Sequence, residues 1–192
     1  MIAVIDYGAG NLYSVTNALD LFGSEYRLAK KPENIVEGSA ILLPGVGHFG
    51  QMMEALGRLG MIDPLRERLT SGVPYMGICL GMHALYESSE EAPGVAGLGL
   101  LPGRVLRFGS GEKVPHMGWS EVHPDGRSYY FAHSYYVPAD AEGSAATAHH
   151  GIDFTAIVRR GNLFGTQFHP EKSGAAGVTL LKEWVNSCLQ SA

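Results

Sequence analysis

The sequence predicts an α/β fold in which a central, mostly parallel sheet is flanked by helices and extended by antiparallel strands in the second half of the chain. Three observations carry this reading. Short continuous apolar runs open the chain and recur near residues 40 and 75, a pattern that suits strands buried on both faces. Segments with helical periodicity lie between them, as in a parallel sheet covered by helices. Beyond about residue 100, short strand-like runs follow one another with turn residues and little helix between them, which points to antiparallel pairing.

Met1-Ile2-Ala3-Val4-Ile5 is the first buried strand, followed by a turn over Tyr7-Gly8-Ala9-Gly10-Asn11. Leu12, Val15, Leu19 and Phe22 then recur at helical spacing, with Asn11 as N-cap and Gly23 as stop. Ala40 to Leu43 forms a second strand, closed by Pro44-Gly45. Asp63-Pro64 opens a helix, with the aspartate as cap and the proline in the first turn, running to about Thr70. Val73 to Ile78 is a third strand, and a helix starts after Cys79. Strands are expected at Arg104–Phe108, Trp119–Val122, Ser128–His133, Ala145–His149, Thr155–Arg159 and Leu163–Phe168. A final helix places Val178, Leu181, Trp184, Val185 and Cys188 on one apolar face.

A chain of 192 residues fits one domain, 1–192, with a full-sized core. With 45% apolar and 17% charged residues, it is neither disordered nor a charge-rich coiled coil. A net charge of −5 without a basic cluster argues against binding nucleic acid through its phosphates. The 26 glycines, without a fixed period, imply tight turns and close backbone approaches. Two cysteines cannot build a disulfide framework, and no run approaches the roughly 18 apolar residues of a membrane span. A start without a basic signal-peptide region adds to the expectation of a cytoplasmic protein that binds no membrane.

Gly77-Ile78-Cys79-Leu80-Gly81 sits between an apolar strand and a helix and has the form of a nucleophile elbow, with cysteine in place of serine. The positive end of a helix favours a reactive thiolate at that point. A small buried core residue is the other reading of Cys79, and the core reading is the one that fits Cys188 beside Trp184 and Leu181. A cysteine nucleophile needs a base, and the base needs a group that fixes its tautomer. Of the eight histidines, His149 and His150 lie in a polar turn region, His123 precedes a proline turn, and none has the spacing of a metal site. His169 differs: it ends a strand and is followed by Pro170-Glu171. In extended backbone, residues i and i+2 point the same way, so the imidazole and carboxylate can meet. A solvated loop is the alternative for that motif. Pro44-Gly45-Val46-Gly47 could turn backbone amides toward a tetrahedral oxygen, with the N–H of Leu80 as second donor, or could be an ordinary strand-to-helix turn.

Taken together, Pro-Gly-x-Gly, Gly-x-Cys-x-Gly and His-Pro-Glu resemble the class I, triad-type glutamine amidotransferases. Further segments narrow the likeness: Asp6-Tyr7-Gly8-Ala9-Gly10-Asn11, Pro44 to Phe49, Lys113-Val114-Pro115-His116-Met117-Gly118-Trp119 and His133-Ser134-Tyr135-Tyr136. They resemble the glutaminase subunits of imidazole glycerol phosphate synthase, from about residue 1 to 189. The resemblance implies a fold of that family and hydrolysis of L-glutamine to glutamate and ammonia through a thioester on Cys79. His169 acts there as acid and base, and Glu171 orients it. It implies an oxyanion site at Val46, Gly47 and Leu80, and contacts to glutamine from Gly47, His83, His133 and Ser134. It implies no cofactor and no metal. It also implies a heterodimer with a (βα)8-barrel cyclase that consumes the ammonia in histidine biosynthesis, with Asn11, Lys113, Trp119 and Tyr135 facing that partner. A partner that selects one orientation of the Gly45-Val46-Gly47 backbone would switch the enzyme on by population shift. Packing of β-strands is the alternative for Trp119 and Tyr135.

The sequence departs from the family pattern at three positions. His83 stands where the family usually has Gln, Ser120 where it has Asn, and His48 where it has a smaller residue. Other readings are a paralogous glutaminase subunit serving another barrel-type synthase, a catalytically weak regulatory subunit, and a stand-alone cysteine hydrolase on the same fold.

Overall fold

The computed structural model of the protein describes residues 1–8 and 11–190, the last two of these by backbone alone. Ala9 and Gly10 of the expected glycine turn lie outside the described residues.

The first half builds β1 (Ile2–Ile5), α1 (Leu12–Leu21), β2 (Tyr26–Ala29), α2 (Pro32–Val36), β3 (Ala40–Gly45), α3 (Phe49–Arg58), α4 (Ile62–Thr70), β4 (Tyr75–Cys79) and the one-turn helix α5 (Leu80–His83). The second half adds β5 (Ser88–Ser89), β6 (Arg104–Arg107), β7 (His116–His123), β8 (Arg127–His133), β9 (Tyr135–Tyr136), β10 (Ser144–His150), β11 (Ile152–Arg160) and β12 (Leu163–Thr166). A 3₁₀ turn at Pro170–Lys172 leads into α6 (Gly174–Gln190).

The described residues form a nine-stranded sheet in the order β2-β1-β3-β4-β12-β11-β10-β7-β8, with β5, β6 and β9 in a smaller sheet. Pairing is parallel from β2 through β12, and antiparallel from β12 out to β8. β12 is therefore the hinge of the architecture, a parallel neighbour of β4 that arrives from the antiparallel wing. Alternation along the buried strands feeds two cores. Ala3, Ile5, Ile41, Leu43 and Tyr75 face Phe49, Met52, Leu56 and Leu65 of α3 and α4. Ile2, Val4, Leu42, Met76 and Ile78 face Val15 and Leu19 of α1 and Leu181, Trp184, Val185 and Cys188 of α6. A strand whose two faces both meet helices has no polar side to show, and for that reason these runs are apolar throughout.

Several local expectations need correction. Helix α4 begins at Ile62 with Met61 as its cap, so Asp63 lies inside the first turn, where a carboxylate still complements the helix dipole. Asn11 stands at the N-cap position of α1 as expected, but its side chain makes no bond to the helix backbone; its Oδ1 accepts from Ser14 Oγ at 2.9 Å. Pro44 and Gly45 belong to β3 rather than to a loop after it. His149 and His150 lie in β10, not in a turn. Within α6, Val178 is only partly buried, and Leu180 takes a buried place on the apolar face. The periodicity reading passes over β2, α2 and α3.

Candidate active site

In a parallel sheet, neighbouring strands deliver their C-terminal ends to one edge, where open α/β sheets form binding crevices. Here Gly45 of β3 pairs with Cys79 of β4, and Ile78 pairs with Thr166 of β12. That register alone brings Val46-Gly47, Cys79-Leu80 and His169 to a common edge, although they are far apart in sequence.

Cys79 has φ 53° and ψ −106°, the one positive-φ position among the described non-glycine residues. The surrounding glycines explain how such a turn closes. A Cβ on Gly77 would meet the backbone of Gly81, and one on Gly81 would strike the carbonyl of Leu43 in β3. One on Gly45 would collide with Leu80. Two glycines of the elbow and one of Pro-Gly-x-Gly thus serve one purpose, to seat α5 tightly against β3 and β4. The buried Tyr75 hydroxyl locks the seat by donating to the Gly81 carbonyl at 2.7 Å. Because α5 is a single turn, a full helix dipole is not available to the thiol; local groups act on it instead.

His169 is pinned through its backbone, with N–H donating to Tyr130 O at 2.9 Å and its carbonyl accepting from Ser173 Oγ at 2.7 Å. Its Nδ1–H donates to Glu171 Oε1 at 2.9 Å, and the Cys79 sulfur acts on the same ring through hydrogen bonding and charge. Burial alone would lower the imidazole pKa. Hydrogen bonds to Cys79 and Glu171, with the charges on both, outweigh it and raise the value to about 10. The pairing of His169 with Glu171 is as expected, but its geometry is not extended. Pro170–Lys172 forms a 3₁₀ turn, around which the carboxylate reaches back.

Val46 and Gly47 follow β3 without regular structure, and Gly47 has φ 102°. The far end of this loop is fixed. His48 Nδ1 accepts from Gly50 N–H at 3.1 Å, and Glu91 Oε2 accepts from Phe49 N–H at 2.9 Å, so both cap α3.

A cavity of about 320 Å³ opens on the sulfur. Of the expected site residues it gathers Cys79, His169, Val46, Gly47, Leu80, His83, His133, Ser134 and Tyr135 in its lining, with Glu171 behind His169. Glu91 and Lys172 also line it, and both escaped the sequence reading. Lys172 directly follows His-Pro-Glu and could have been found there. Glu91 lies in an acidic pair, Glu90-Glu91, with nothing to single it out. Gln167, which touches the sulfur at 3.7 Å, also escaped it.

His133 is held in a relay. Ser120 Oγ donates to His116 Nε2 at 2.9 Å, His116 Nδ1–H donates to His133 Nε2 at 3.0 Å, and His133 Nδ1–H donates to Tyr135 O at 2.8 Å. These directions follow because a carbonyl only accepts. Both ring nitrogens of His133 are occupied, so it shapes the cavity wall while Ser134 presents the adjacent side chain. Burial lowers the His116 pKa to about 4, helped by nearby His150, and holds His133 well below the usual histidine range.

Of the residues expected to face a partner, Lys113 is exposed and Trp119 is 58% exposed, resting edge-on against Tyr130 with Met117 nearby at 64%. Asn11 is half-buried. Tyr135 is half-buried as well and belongs to the cavity wall. No helix among the described residues is long and apolar enough to cross a membrane.

Comparison with known proteins agrees with this geometry. Residues 3–187 match the family model of the class-I glutamine amidotransferases. The chain is 46% identical to the imidazole glycerol phosphate synthase subunit HisH of Moorella thermoacetica, over 95% of this chain and 93% of that protein. It is likewise 46% identical to a HisH subunit of Thermus thermophilus, over 93% of each. Among solved structures, a glutamine amidotransferase superposes with a TM-score of 0.78 at 24% identity, covering 96% of this chain and 98% of that one. A chain of PurLQS from Thermotoga maritima superposes with a TM-score of 0.70 at 20% identity, covering 99% and 97%. The chain belongs to the class-I glutamine amidotransferases, in the branch of the HisH subunits of imidazole glycerol phosphate synthase.

Proposed function

We propose that the chain, acting as one glutamine amidotransferase domain over 1–192, is the glutaminase subunit of an imidazole glycerol phosphate synthase and supplies ammonia to histidine biosynthesis. The observation that carries this is the connected series Glu171–His169–Cys79 at the floor of a cavity whose charged side chains are Glu91 and Lys172. One carboxylate and one ammonium suit a zwitterionic amino acid.

The chemistry follows from the geometry. The Cys79 thiolate attacks the side-chain amide carbon of L-glutamine. The oxygen that becomes negative is met by the N–H of Leu80 and by the Val46-Gly47 backbone, at a point where preorganised donors act strongly. His169, protonated at rest, gives its proton to the departing nitrogen as the C–N bond breaks and ammonia leaves. A γ-glutamyl thioester remains on Cys79. His169, now neutral, takes a proton from water, whose oxygen attacks the thioester and releases glutamate. Glu171 keeps Nδ1 protonated so that the other nitrogen does the work. Gly47, His83, His133 and Ser134 surround the bound glutamine.

The relatives are subunits, and the partner of this chain is read as a (βα)8-barrel cyclase in a cytoplasmic heterodimer. Lys113 and Trp119 provide exposed contact there, Asn11 borders it, and Tyr135 sits between that face and the cavity. An exposed tryptophan beside an exposed methionine suits an interface anchor. The test is glutamate release by the chain alone and with its cognate cyclase carrying that subunit's own ligand. Fast release in the complex and very slow release alone are expected. Fast release without any partner would favour a stand-alone hydrolase. Complex formation without release would favour a regulatory subunit.

A further inference from the structure

Behind the nucleophile lies a second hydrogen-bonded series, running through Gln167, a residue the mechanism above does not use. Gln167 is fully buried, and its backbone N–H is fixed to Ala156 O at 2.9 Å. Its side-chain Nε2–H donates to Cys79 Sγ at 3.7 Å. Its Oε1 accepts from Nε2–H of His83, 84 residues away in sequence, at 2.7 Å. His83 is 1% exposed, and its Nδ1 is buried without a partner.

We propose that Gln167 is a positioning residue that holds the Cys79 sulfur in its anionic form through an amide N–H, and that His83 fixes which end of that amide faces the sulfur. The inference rests on Cys79 being the nucleophile, but its test does not require glutamine turnover. An amide can be turned end for end at little cost unless its neighbours distinguish oxygen from nitrogen. Here they do. A neutral imidazole carries one N–H, and with that hydrogen on Nε2 only the amide oxygen can face it. The NH₂ group is then left pointing at sulfur. Turned round, the amide would set an acceptor against a thiolate and demand the other tautomer of His83. Burial, against the opposing hydrogen bond to Gln167, lowers the His83 pKa to about 4, so the imidazole is neutral where the enzyme works. The departure from the family pattern at position 83 thereby acquires a role, as a donor aimed at Gln167.

The experiment measures the rate of alkylation of Cys79 by iodoacetamide against pH, in the full chain, read by mass spectrometry of the Cys79 peptide so that Cys188 does not interfere. Gln167→Leu should move the pH profile of alkylation upward by about one pH unit, the worth of one such hydrogen bond, and should converge with the parent rate in alkali. His83→Leu should move the profile in the same direction, while His83→Gln, which can still donate to Oε1, should keep the parent profile. If Gln167→Leu does not fold, the similarly shaped Gln167→Met serves: it removes the amide donor while keeping most of the volume, and should move the pH profile upward by as much. A pH profile of alkylation in the position-167 variant that coincides with the parent's would overturn the proposal. So would an equal slowing at every pH, which reports access rather than charge. A profile for His83→Gln displaced as far as that of His83→Leu would overturn the part assigned to His83. Because iodoacetamide replaces glutamine as the probe, a chain inactive as a glutaminase would still give these results if the positioning is right.

Discussion

Glu171 meets His169 at 2.9 Å with both side chains sealed from solvent, 1% and 3% exposed. A carboxylate so placed, with its Oε2 unpartnered, is stabilised chiefly by the charge it faces. His169 in turn lies between two groups that favour its cation, Cys79 on one side and Glu171 on the other. The pair is therefore one part of a three-membered electrostatic unit.

That unit predicts a titration. His169 should remain protonated through the neutral range and release its proton only near pH 10. In Cys79→Ala, both the hydrogen bond and the charge of the sulfur are lost, so its titration should move down toward neutrality. Heteronuclear NMR of the His169 ring measures both. An unchanged titration in Cys79→Ala would mean that the sulfur does not contact the ring. On the same logic, Glu171→Gln should reduce turnover less than His169→Ala, since the base is still present.

The buried neutral histidines make the fold acid-sensitive, and the sign is fixed. His83 and His116 have folded values near 4 against an ordinary 6.5. Between those values the unfolded chain takes up protons that the folded chain refuses. Their stabilisation is complete above pH 6.5 and is lost as the pH falls through about 4. Each accounts for roughly 3 kcal/mol at most. Denaturant unfolding from pH 7 to pH 4.5 should show stability falling, with a shallower fall for His83→Gln. Equal slopes for parent and variant would contradict this origin.

The elbow predicts a difference between two otherwise similar changes. The backbone of Cys79 is held in a region that costs side-chain-bearing residues about 1–3 kcal/mol. Cys79→Gly should therefore be more stable than Cys79→Ala by about 1 kcal/mol, despite the flexibility glycine adds to the unfolded chain. Gly81→Ala, which forces a methyl group into the Leu43 carbonyl, should cost about 3 kcal/mol or more. Thermal unfolding of the three variants decides it; a less stable Cys79→Gly would rule out strain at the elbow.

Much of the site was legible because its parts are local. The elbow, His-Pro-Glu and Pro-Gly-x-Gly are each a few residues long, and a parallel sheet brings their strand ends together. The elements that went unread lack such signals. β2 is short, with the burial pattern of an edge strand, and α3 begins in glycine-rich sequence with its cap provided by His48 and the distant Glu91. Glu91 and Gln167 act through contacts that depend on tertiary placement, 42 and 88 residues from their partners Phe49 and Cys79. No window of sequence contains both ends of such a contact. Tyr135 shows the same limit: its motif places it toward a partner, and that it also lines the cavity depends on how β9 pairs with β6.

The most direct test of the central claim is to mix the chain, in complex with its ligand-loaded cyclase, with glutamine, quench in acid and look for a γ-glutamyl group by peptide mass spectrometry. The account predicts the modification on Cys79 and none in Cys79→Ala, which should still bind the cyclase but release no glutamate. Glutamate release by Cys79→Ala at the parent rate, or an acyl group found on another residue, would contradict it.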